Sequence, residues 1–200
     1  MRTRTVQSGI RWSLVCAALL AAWTGAAAWA QAVGDQSAAA RVFAERIERY
    51  ETLRARLEEP LPPFVEPRRT PWSVMLTRRY LASAIRTARS RAQVGDFFAP
   101  PVADLFRQAL AAAIHERLLE GLAGDEPGLS VDLAVNEPVP AWALNDLPGS
   151  LLARLPALPP GLDYRTVNGA LILWDLHAEI LVDALPDALC DVHAYAEEGR

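Results

Sequence analysis

From Phe43 onward, apolar residues return at steps of three and four: Phe43, Ile47, Tyr50, Leu53 and Leu57. That period gathers them on one stripe and predicts an α-helix over 37–59, with Ser37 as its N-cap. Arg41, Glu45 and Arg49 follow at four-residue steps on the other faces, where each charge pair adds about 0.2–0.5 kcal/mol. Five prolines between Pro60 and Pro71 remove backbone donors and favour extended chain, so the helix stops there and an ordered connection follows. Thr70 as cap and Pro71 in the first turn open a second helix, predicted to run to about Gln93, with Val74, Leu81, Ile85, Ala88 and Ala92 turned inward and Gly95 as its stop. After Pro100-Pro101 a third helix is expected to reach about Leu122. It buries Val102, Leu105, Phe106, Ala109, Leu110, Ala113 and Ile114 and ends at Gly121 and Gly124. Three such helices pack as a bundle or hairpin around an apolar seam.

Past Gly124 the helical period fades, apart from a short segment around Pro148 to Leu155, and the pattern changes. Tyr164-Arg165-Thr166-Val167, then Asn168-Gly169, then Ala170-Leu171-Ile172-Leu173-Trp174-Asp175 reads as a β-hairpin with a two-residue turn. Glu179 to Leu185 fits either a returning strand or a helix ending before Pro186. The β-branched Ile180 and Val182 favour the strand. Leu171 and Leu173 on one side, with Ile172 and Trp174 on the other, leave the second strand apolar on both faces, which predicts a central, covered strand.

The N-terminus carries a separate pattern. Arg2, Arg4 and Arg11 precede an uncharged run from Trp12 to Ala30 that closes on Ala28-Trp29-Ala30. A positive end, an apolar stretch and a small-x-small triplet are the parts of a secretory signal, which places the cut before Gln31. The competing reading is an uncleaved anchor, since the run approaches the roughly 20 residues that cross a bilayer. Cys16 lies inside that run without a lipobox, and no twin-arginine pair precedes it. The expected location is therefore the periplasm or the extracellular space, with no membrane span left after cleavage. Cys190 would be the sole cysteine of the mature chain, so no internal disulfide is expected.

Charge sharpens this picture. All 20 basic residues are arginine. Residues 31–100 hold 12 arginines against 8 acids, a net +4, while 101–200 hold 5 against 16, a net −11. The two halves should attract. From Pro67 to Gly95 there are seven arginines and no acid. Guanidinium groups grip phosphate or carboxylate in a fork, so Arg78, Arg79, Arg86 and Arg89 form a candidate surface for an envelope protein or an anionic envelope component. The simpler account pairs them with Glu45, Glu48, Glu51, Glu58 and the acidic second half. An acidic, exported chain without aromatics interleaved among its arginines points away from nucleic acid.

Asp175, His177 and Asp183 cluster near the last turn of the predicted meander. Oxygen and imidazole donors there are a candidate divalent-metal site, which His193 could complete; the simpler account is a set of solvated turn residues. His115-Glu116 lacks the second histidine of a metalloprotease helix, because position 119 is Leu119. Ser150 lacks the second glycine of a nucleophile elbow, and no glycine-rich phosphate loop occurs. No motif calls for a cofactor. Tyr50, Tyr80, Trp72, Trp142 and Trp174 read as core or rim packing.

The run Leu151 to Pro156, with Leu158-Pro159-Pro160, Tyr164 to Val167, Leu171 to Asp175 and Ile180 to Asp183, is similar to a family of uncharacterised exported bacterial proteins. Ala84-Ile85-Arg86, Ala88-Arg89 and Gly95 to Pro100 resemble the helical half of the same family. The resemblance implies a helical half joined to a small sheet and brings no catalytic residue. The expectation is thus an α+β chain: a signal peptide over 1–30, then one domain over 31–200. Within it, a helical part at 37–123 packs on a mixed and β part at 130–189 that holds a C-terminal antiparallel β-meander, followed by a mobile tail over 190–200. The expected role is a non-enzymatic envelope protein that binds or scaffolds through its arginine-rich helix. A metal-dependent hydrolase is the alternative.

Overall fold

The computed structural model describes residues 36–64, 70–115 and 131–189. The proposed signal, the third helix beyond His115, Arg68, Arg69, Cys190, His193 and the tail lie outside them. The chain divides into a unit of residues 1–38 and a unit of residues 39–200, and the core belongs to the second.

Helix α1 is described over 36–58. Phe43, Ile47 and Tyr50 are buried along its inner stripe, and Arg54 continues that stripe one step further. Helix α2 spans Pro71–Ala88. Its cap is as expected, with the Thr70 hydroxyl accepting from the Ser73 amide at 3.2 Å and Pro71 at the first helical position. Leu81 and Ile85 are fully buried, but Thr77 replaces Val74 as the third buried position. The helix stops at Ala88 rather than near Gln93, because Arg89 leaves helical geometry at φ −111° and ψ 34°. Helix α3 covers Val102–His115.

The C-terminal half forms a four-stranded antiparallel sheet in sequence order: β1 (Asn145–Asp146), β2 (Leu162–Val167), β3 (Ala170–Asp175) and β4 (Ile180–Leu185), with a short helix α4 (Gly149–Leu152) between the first two. The fold is α+β. Val167 pairs with Ala170 across Asn168 and Gly169, which sit at φ 49° and 75°. Two positive φ values define the turn whose twist matches that of the strands, and Asn-Gly supplies both cheaply. The segment open to two readings is strand β4. Pairing shifts from Leu173 opposite Asp183 to Trp174 opposite Leu181, leaving Val182 as the extra residue of a bulge. The two-residue β1 carries no strand signal in the sequence and exists by pairing Asn145 with Thr166.

Both faces of β3 are covered, as its apolar pattern requires. Leu171 and Leu173, with Tyr164, Ile180, Val182 and Leu185, meet the helices. There Phe106 of α3 touches Phe43 of α1, Phe98 and Tyr164, with ring centroids 5.0, 5.0 and 5.7 Å away. Ile172, Trp174, Leu181 and Ala184 face the other way, onto Val139 and Ala143 with Val131, Leu133 and Leu144. The irregular stretch after residue 131 therefore works as the second lid of the sheet.

Candidate functional site

The arginines of α2 divide into two groups. Arg78 pairs with Glu179. Arg86 pairs with Glu137 at 2.7 Å, and Arg89, capping the helix, donates to Asn136 Oδ1 at 2.8 Å and to the Val182 carbonyl at 3.1 Å. Three of the four candidates thus bind the acidic second half of their own chain. Pairs this exposed are worth about 0.2–1 kcal/mol each, so they orient α2 against the sheet more than they stabilise it. Arg79 is exposed and has no partner among the described residues.

Beside Arg79 the outer face of α2 carries Trp72, Leu76 and Tyr80, which are 65%, 40% and 60% exposed. They recur at four-residue steps, and α2 contains no acidic residue. Trp72 and Tyr80 are therefore not core packing, and neither is Trp142, also well exposed; Tyr50 and Trp174 are buried as expected. The signal for this face is two interleaved apolar series on one helix, Leu81 with Ile85 and Trp72 with Leu76 and Tyr80. Only one can turn toward a core on a single side.

Among the described residues the meander carboxylates are not gathered into the candidate metal site. Asp175 is fully buried at the end of β3. Its Oδ1 accepts the amides of His177 and Ala178, both at 2.8 Å, and its Oδ2 accepts the Tyr50 hydroxyl at 2.7 Å and lies 3.4 Å from Arg54 Nη1. Asp183, buried in β4, accepts from Gly95 at 2.7 Å, Phe97 at 2.6 Å and Phe98 at 3.0 Å. His177 turns its Nδ1 to Glu58 Oε1 at 2.7 Å. Each group is committed to a separate network, so Asp175, His177 and Asp183 do not share a ligand set. Among the described residues no group of three His, Cys, Asp or Glu side chains is placed to hold a metal ion.

Arg54 ties these elements together. The steps 43, 47 and 50 continue to 54, where a charged residue takes the place of an apolar one. Arg54 is buried, donating to the carbonyls of Gly161 at 3.0 Å and Pro160 at 3.1 Å. Glu51 and Glu58, each 3.6 Å away, balance its charge with Asp175. Burial lifts the Tyr50 phenol well above its ordinary value, with the Asp175 charge and hydrogen bond adding to the effect. The phenol is thereby a donor to the carboxylate rather than a base.

No known protein family, curated protein or solved structure matches this chain.

Proposed function

We propose that this chain is an exported, non-enzymatic protein of the cell envelope that rests against an anionic lipid surface through the outward face of α2. The observation that carries the reading is the exposed row Trp72, Leu76 and Tyr80 with Arg79 beside it. Tryptophan and tyrosine have an apolar ring and a polar tip, which suits the headgroup level of a bilayer. Arg79 supplies a guanidinium for lipid phosphate. The opposite face of α2 is committed to the core, and among the described residues no helix is long and apolar enough to cross a membrane. The helix would lie on the surface rather than span it.

Full burial of an apolar side chain of this size is worth about 1.5–3 kcal/mol, and a basic residue near an anionic surface adds about 1 kcal/mol. Partial burial of three such groups with one arginine gives a weak, reversible and salt-sensitive hold. Export is supported by Arg2, Arg4 and Arg11 ahead of the uncharged run that ends at Ala28-Trp29-Ala30. The non-enzymatic reading is supported by Asp175 and Asp183, whose acceptor sites are filled by the chain's own donors.

Protein starting at residue 31 should sediment with phosphatidylglycerol vesicles at low salt, release at high salt and ignore phosphatidylcholine vesicles. Arg79→Glu should abolish sedimentation, while Arg41→Glu on exposed α1 should leave it unchanged. Retention on envelope fractions without any binding to the pure lipid would assign the face to a protein and overturn the proposal.

A further inference from the structure

We infer that the cleft between α1 and the turn following α2 binds a small oxyanion, a carboxylate or phosphate. The cleft measures about 400 Å³ and is lined by Arg46, Arg49, Tyr50 and Leu53 from α1, and by Arg89, Asp96 and Phe97 from the other side. The cleft is open to solvent along one side.

Three guanidinium groups converge here, and none has an ion-pair partner among the described residues. Arg46 donates to the Phe97 carbonyl at 2.9 Å, Arg49 uses its Nε on the Glu45 carbonyl at 3.1 Å, and Arg89 reaches the neutral acceptors of Asn136 and Val182. Arg41, Arg54, Arg78, Arg86, Arg107 and Arg165 each lie against a carboxylate, whereas Arg56, Arg79 and Arg91 share with these three the lack of an ion pair among the described residues. What sets the three apart is that they line one cleft. Asp96 is the acid of the cleft, and its Oδ2 accepts the Gln93 amide at 3.0 Å. Asp183 and Asp175 also act on Arg89, so the uncompensated positive charge lies with Arg46 and Arg49, where an incoming anion would neutralise it.

Beneath Arg89 lie two buried rings. The Tyr50 and Phe97 rings meet nearly at right angles, 82°, with centroids 6.0 Å apart. The Arg89 guanidinium lies over both, 5.2 and 5.3 Å from the centroids. Two hydrogen bonds and two ring faces hold it in place before any ligand arrives, which lowers the ordering cost of binding. Burial lowers the pKa of Arg89, offset in part by surrounding anionic groups. An oxyanion beside it would relieve that strain on the charged form. Arg49 is exposed with both terminal nitrogens unpartnered among the described residues, so it can close over a ligand without breaking a contact. The inference is independent of the lipid reading, because none of these residues belongs to the outer face of α2.

The test uses protein from residue 31 titrated with inorganic phosphate and acetate, followed by backbone amide NMR, with benzyl alcohol as the uncharged probe. Saturable shifts at Arg46, Tyr50 and Phe97 are expected from phosphate or acetate, and none from benzyl alcohol. Arg49→Glu should weaken binding by about tenfold or more, and Arg41→Glu should not. Because Arg49 makes one exposed backbone contact, its loss leaves the fold intact, and an unchanged melting temperature would confirm that. Absence of saturable binding, equal shifts from benzyl alcohol, or wild-type affinity in Arg49→Glu would each overturn the inference.

Discussion

Tyr50 of α1 donates its phenolic proton to Oδ2 of Asp175, 2.7 Å away at the end of β3. This bond links the first helix to the sheet across most of the chain. The same carboxylate also holds the turn between β3 and β4 through the amides of His177 and Ala178, so helix, strand and turn share one buried charge. Removing it by Asp175→Ala would leave Tyr50 and two amides without an acceptor and deprive Arg54 of a counter-charge. The expected cost is about 3–5 kcal/mol, whereas Tyr50→Phe should cost about 1.5 kcal/mol because three donors remain. Urea unfolding of both variants checks the order, and equal costs would refute it.

Asp183 is governed by two opposed effects. Burial raises its pKa above the ordinary 3.8, and the amides of Phe98, Gly95 and Phe97 act against that rise without cancelling it. The folded chain then keeps a proton at a pH where the unfolded chain has released it. Stability from this group is accordingly greatest below 3.8 and falls as pH rises from 3.8 through the raised value. The advantage of wild type over Asp183→Asn in urea midpoints should shrink over that interval. An advantage growing with pH would mean that the backbone donors prevail over burial.

Gly161 packs its backbone against the guanidinium of Arg54. A Cβ added there would lie 2.8 Å from Arg54 Nη1, and the residue sits at φ +92°. Both the contact and the conformation oppose a side chain. Gly161→Ala is expected to destabilise by about 1–3 kcal/mol, measured by thermal unfolding. A neutral result would show that Arg54 is free to withdraw.

The joint core of helices and sheet has its own check in Phe106, which touches rings from α1, the loop before α3 and β2. Phe106→Ala should cost about 3–5 kcal/mol through the cavity it leaves. Loss of signal should be simultaneous in helix and sheet probes. Separate transitions would contradict a shared core.

What could be read from the sequence was local. Asn168-Gly169 between two apolar runs specifies its turn by backbone sterics alone, and Thr70-Pro71 caps its helix by satisfying donors within three residues. Where distant residues decide, the reading failed. Nothing between Ser90 and Gly95 stops a helix locally, yet Arg89 leaves it and bonds Asn136 and Val182, 47 and 93 residues away. Arg54 and Asp183 resemble surface charges in sequence, and only the buried acceptors and amides that meet them explain their burial. The four arginines nominated on α2 were one binding surface in sequence, but three are taken up by the chain itself. The row beside Arg79 is not distinct in sequence, where Trp72 and Tyr80 fit core and rim packing equally.

Attachment of α2 to lipid is tested most directly by the fluorescence of Trp72. Protein from residue 31 with Trp142→Phe retains the exposed Trp72 and the buried Trp174. Addition of phosphatidylglycerol vesicles should shift emission to the blue, salt should reverse the shift, and Arg79→Glu should prevent it. Emission unchanged at every lipid concentration would contradict the proposed docking of this face.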